Sequence, residues 1–114
     1  MTKQQIETKR QMIINTCRNQ IKQMHGILKS FGDIPGIANN GDANILINDI
    51  LLRIDSSERD IKVFQMKPDD YIERYDADHY IKFMQDKINF YKSRQEFYAF
   101  NASLRTIPDS DFSR

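Results

Sequence analysis

The sequence predicts an all-α fold: a compact antiparallel bundle of three long helices, near residues 2–31, 42–66 and 77–105, with a short helix at 68–75 between the last two. Three observations carry that expectation. Apolar residues recur at spacings of three, four and seven through each long segment, the period of an amphipathic helix. Turn formers gather at 33–41 and at Pro68, which separates the periodic runs. The 114 residues suit one domain around one core, and short connectors favour antiparallel neighbours. Residues 1–105 are therefore read as a single helical domain. Residues 106–114, with Pro108 and little to bury beyond Ile107 and Phe112, are read as a flexible tail.

The first helix opens on Thr2 and Gln5, a capping box in which hydroxyl and amide each satisfy a free backbone N–H of the first turn. Ile6, Ile13, Cys17, Ile21, Met24, Leu28 and Phe31 then form an apolar stripe about 100° wide, and Gly32 is placed as its C-cap. A neighbouring strip holds Gln4, Gln11, Asn15, Arg18, Lys22 and Lys29, with only Glu7 opposing it. Residues 33–41 contain Pro35-Gly36 and Asn40-Gly41, two turn-forming pairs, and lack the close glycine spacing and terminal lysine of a phosphate cradle.

Asp42 is the expected cap of the second helix, whose broad buried face comprises Ala43, Leu46, Ile47, Ile50, Leu51 and Ile54, extended by Ile61 and Phe64. Ile45, Leu52 and Val63 fall on the other side. A break at Ser56-Ser57 is an alternative, and 61–66 alternates enough to suit a strand, with helix preferred. Pro68 suits the first position of a short helix ending near Tyr75, with Asp69 and Asp70 at its positive end.

The last helix carries two apolar stripes. Ala77, Ile81, Met84, Ile88, Tyr91, Tyr98 and Ala102 make one, and an unbroken heptad of Phe83, Phe90, Phe97 and Leu104 makes the other, roughly 130° away. Lys87, Arg94 and Asn101 lie between them. A helix with two apolar faces needs two neighbours. The phenylalanine stripe is read mainly as core, with a partner expected at the end that holds Phe97, Phe100 and Leu104. Phe90, Phe97, Phe100 and Leu104 are the candidate partner-binding residues.

Charge is segregated along the chain: residues 1–32 net +5, residues 33–81 net −6 and residues 82–108 net +3, inside an overall +1. Packed segments of opposite sign soften one another, or the charges sit on solvated rims. A basic strip of Arg18, Lys22 and Lys29 supports the alternative of a nucleic-acid-binding protein, since cations and amides both donate to phosphate oxygens. Aromatics interleaved with cations on the last helix could also stack bases, although helical aromatic stripes are usually core.

Nothing in the chain composes a catalytic centre, so no catalytic residue, metal ligand or cofactor is assigned. Asp69, Asp70, Glu73, Asp76 and Asp78 crowd ten residues without EF-hand spacing, and are read as caps and solvated groups. Cys17 and His25 have no second pair to complete a zinc site. Arg18 and His25, seven residues apart, share nearly one helix face. The run Arg18-Asn19 to His25 resembles the Arg-Asn…His motif of the HEPN ribonuclease superfamily, helical domains in which that pair, usually across a dimer, cleaves RNA. The motif there lies late in the domain, often with a tyrosine after the histidine, whereas here it lies in the first helix with Gly26-Ile27 following.

No apolar run approaches the roughly 20 residues of a membrane span, and the first residues lack a secretory pattern. With the single Cys17, this makes a cytoplasmic location the expectation. The functional expectation is a non-enzymatic, self-associating protein-interaction module. Ile, Lys and Asn usage of an AT-rich kind associates it with phage or mobile-element accessory and inhibitor proteins. The nucleic-acid binder and the HEPN-like ribonuclease are the alternatives.

Overall fold

The structure is a computed structural model that describes residues 1–105, so the expected tail at 106–114 lies outside the described residues. It is an all-α bundle of α1 (Lys3–Gly32), α2 (Gly41–Met66), α3 (Asp69–Arg74) and α4 (Ala77–Arg105), with a 3-10 turn at Ile37–Asn39 in the first connector. α2 runs antiparallel to α1, and α4 returns parallel to α1. No helix among the described residues is long and apolar enough to cross a membrane.

Local chemistry accounts for the helix ends. Thr2 and Gln5 form the capping box, with Gln5 N–H donating to Thr2 Oγ1 at 3.1 Å and Thr2 N–H to Gln5 Oε1 at 2.8 Å. Three expected ends are corrected. Gly32 lies inside α1, and Asp33 is the cap, its N–H reaching the Lys29 and Phe31 carbonyls, while positive φ (74°) falls at Gly36 instead. Asn40, not Asp42, caps α2 by accepting from Ala43 N–H at 3.0 Å, and Asp42 sits in the first turn. Pro68 is the residue before α3 rather than its first member. α2 has no break at Ser56-Ser57 and stays helical through 61–66, because Ser57 is buried and Phe64 anchors the segment in the core.

α1 is the hub. It packs along α2, α4 and α3, while α2 and α4 touch each other much less. The expected mutual packing of three equivalent helices is therefore replaced by two helices laid against a shared third. The buried arc of α1 is accordingly wider than the apolar stripe: it adds Ile14 and Ile27 and two polar residues, Arg10 and Gln20, for roughly 140° in all. Arg10 lies on the flank that bonds α2, and Gln20 on the flank that donates to the Ile81 carbonyl of α4.

The core has two parts. Toward the α1 C-terminus, Met24, Ile27 and Phe31 meet Ile50 and Ile54 of α2 and Met84, Ile88 and Tyr91 of α4. Toward its N-terminus, Ile6, Ile13, Ile14 and Cys17 meet Phe64, Ile72 and Ala77. Leu51, expected in the core, is exposed, because α2 turns only a narrow side to α1.

Arg10 closes the N-terminal half. Its Nη1 donates to the Phe64 and Lys67 carbonyls, both at 2.6 Å, its Nη2 to Asp69 at 2.8 Å and its Nε to Glu7 at 3.1 Å. One buried guanidinium thus satisfies carbonyls at the end of α2 that helix geometry leaves without partners and fixes the first turn of α3. Lys9 Nζ does similar work on α3, donating to the Glu73 and Tyr75 carbonyls at 3.0 and 2.8 Å.

Removing the guanidinium leaves buried carbonyls and the Asp69 carboxylate unpaired. Arg10→Ala is expected to lower unfolding free energy by about 3 kcal/mol, against less than about 1 kcal/mol for Glu7→Ala at its exposed partner. Chemical denaturation measures both, and equal losses would contradict the assigned role.

Candidate interaction surface

α4 turns its first stripe inward: Ala77, Met84, Ile88, Tyr91 and Ala102 are buried, and Ile81 and Tyr98 half-buried. The second stripe is not core. Phe83, Phe90, Phe97 and Leu104 are each between 46% and 55% exposed, and Phe100 is 62% exposed. This corrects the expectation that the stripe is mainly internal. α1 occupies the inner stripe, and α2, held along α1, does not reach around α4 to cover the outer one.

α2 has a matching outer side. Ile45 is 71% exposed and Leu52 67%, with Val63 also exposed further along. Besides the apolar core they share, two polar ties join α2 to α4. The Tyr91 hydroxyl donates to Asp49 Oδ2 at 2.6 Å, and the Tyr80 hydroxyl to Asp60 Oδ2 at 2.7 Å, itself approached by Cys17 Sγ at 3.7 Å. Burial, reinforced by the Asp49 hydrogen bond, pushes the Tyr91 phenol up to about 12. Burial and the bond to Asp60 raise Tyr80, and burial raises the Cys17 thiol.

These two ties set the register between the antiparallel helices. With Asp49 opposite Tyr91 and Asp60 opposite Tyr80, Leu52 lies near the level of Ile88 and Phe90, and Ile45 near that of Gln95 and Phe97.

Cations support the exposed rings. Lys87 Nζ lies 5.3 Å from the Phe83 ring centre, and the Arg53 guanidinium of α2 lies 6.0 Å from the same ring. The Arg94 guanidinium lies 4.5 Å from Phe97 and 5.2 Å from Tyr98. Such contacts, worth about 0.5–1 kcal/mol at exposed sites, hold the rings in place without removing them from water. The Arg53 Nε is buried with no hydrogen-bond partner.

The other sequence candidates are dispersed. Arg18, Lys22 and Lys29 are exposed along the outer side of α1, and Arg18 donates to Asn15 at 3.4 Å. His25 is exposed two turns further along the same helix. The acidic run is engaged structurally: Asp69 with Arg10, Glu73 with the terminal amine at 3.3 Å, and Asp76 as a cap receiving His79 N–H at 3.1 Å. No group of three or more His, Cys, Asp or Glu among the described residues is placed to hold a metal ion. The residues sequence reasoning missed are Asp49 and Asp60. Their signal was the repeated placement of a carboxylate beside the apolar face of α2, opposite a helix rich in tyrosine.

No family model, curated protein or solved structure matches this chain.

The raised tyrosines make stability fall at alkaline pH. An unfolded tyrosine titrates near 10, whereas folded Tyr75 and Tyr91 hold their protons to about 12. Their contribution is complete below pH 10 and is lost as pH rises through about 12, since the unfolded chain then binds fewer protons. The denaturation midpoint is expected to drop over this window, and less steeply in Tyr91→Phe. Identical slopes in the two proteins would contradict the Tyr91–Asp49 account.

Proposed function

We propose that this protein is a non-enzymatic, self-associating interaction module whose working surface is the outer side of α4. The observation that supports this reading is the heptad of Phe83, Phe90, Phe97 and Leu104, with Phe100 beside it, lying open to solvent on the outer side of α4. Complete burial of one phenylalanine side chain is worth roughly 1.5–3 kcal/mol, so covering three half-open rings and a leucine in a row is a substantial driving force for association. Contiguous exposed apolar surface on a folded domain is characteristic of contact sites. The seven-residue repeat favours a helical counterpart, because a straight seam at that spacing accepts knobs from another helix. Composition alone supports an accessory or inhibitory role of the phage type.

A single buried carboxylate in the seam tests the reading. Phe90→Asp is expected to elute from gel filtration at a smaller size than the wild type while keeping its far-UV circular dichroism. A wild type that elutes as a monomer, or a variant that keeps the wild-type size, would refute it.

A further inference from the structure

The geometry points to a second copy of this chain as the occupant of the outer face, docked so that α4 of each copy lies antiparallel along α2 of the other. This rests on the self-association proposed above and adds which helices meet. α2 and α4 lie side by side in one antiparallel layer, with α1 behind both. Two such layers can stack face to face about a twofold axis parallel to the helices. That operation sets α4 over the partner copy's α2, and every neighbouring pair of the resulting four-helix layer is antiparallel. An axis across the helices instead sets α2 on α2 and α4 on α4.

Charge selects between the two. α2 carries five acidic and three basic side chains, and α4 five basic and three acidic. Stacking like on like lays α4 on α4 with levels inverted, so Lys87 and Arg94 of one copy meet the same two cations of the other across the seam. Stacking α4 on α2 brings Lys87 and Arg94 each within about one turn of the level of Asp49 of the partner copy, with Arg53 the one cation of α2 at the level of Lys87. Opposite signs then meet around an apolar centre, the arrangement that fixes partner and register in helical interfaces.

Area and register agree with this pairing. An axis parallel to the helices leaves levels unchanged, so Leu52 meets the partner copy at the level of Phe90, and Ile45 at the level of Phe97. Ile45, Leu52, Phe83, Phe90, Phe97 and Leu104 are each about half to two-thirds open. At roughly 200 Å² per large side chain they offer roughly 650 Å² per copy. With a polar rim this reaches the scale of about 800 Å² per partner in a stable interface.

Chains with one added cysteine test the pairing. Leu52→Cys and Phe90→Cys are prepared separately with different tags, each retaining Cys17, which is buried and serves as the wild-type control. Both substitutions are at exposed positions, and circular dichroism checks that each chain folds. On mixing under mild oxidation, the disulfide between the Leu52→Cys chain and the Phe90→Cys chain is expected to exceed either like-with-like product by at least fivefold. Dominance of like-with-like products overturns the pairing while leaving self-association standing. Absence of any disulfide dimer overturns it too, and gel filtration of the wild type then shows whether self-association has failed with it. As a second measurement, Lys87→Glu with Arg94→Glu is expected to weaken dimerisation at least tenfold at low salt, and unchanged or stronger dimerisation overturns the charge argument.

Discussion

α1 is a wall shared by the rest of the structure. It contacts α2, α3 and α4, and the two long helices it carries meet each other sparingly. A symmetrical three-helix bundle would turn two sides of every helix inward. Here only α1 does so, and for that reason its buried arc is wide enough to include Arg10 and Gln20. The cost falls on α2 and α4, which each bury one side and leave a second apolar side without an internal neighbour. The exposed heptad is thus a consequence of topology as much as of composition.

The α2–α4 seam adds polar ties to its limited apolar packing. Tyr91 with Asp49 and Tyr80 with Asp60 cross it at two heights, Tyr91 buried and Tyr80 half-buried. A hydrogen bond to a charged group contributes about 1.5–3 kcal/mol when well made, enough to hold register between helices that share few apolar contacts. Arg10 provides the equivalent at the far end by joining the last turn of α2 to the first turn of α3. Together these ties make the outer side of α2 and α4 a defined surface, with Leu52 and Phe90 at one level.

Much of this was legible in the residues. The Thr2 and Gln5 box, the periodicity of each long run and Pro68 were enough to bound every helix to within about two residues, the usual uncertainty of a helix end. Both stripes of α4 were visible, because periodicity reports which residues share a face. It does not report whether a neighbour reaches that face, and so by periodicity alone the phenylalanine stripe reads mainly as core. The same limit applied to Leu51. Arg10 was hidden for a different reason: a cation four residues after Ile6 reads as solvated unless the carbonyls it satisfies, 54 and 57 residues away, are known to lie opposite. Charge segregation between 33–81 and 82–108 was also visible in the sequence, and the structure supplies its geometry by setting α2 and α4 side by side.

Sedimentation equilibrium of the unmodified chain across the micromolar range tests most directly whether the outer face of α2 and α4 is a homotypic interface. The account predicts a mass converging on twice the 13.5 kDa chain as concentration rises. A constant 13.5 kDa mass throughout that range would contradict it.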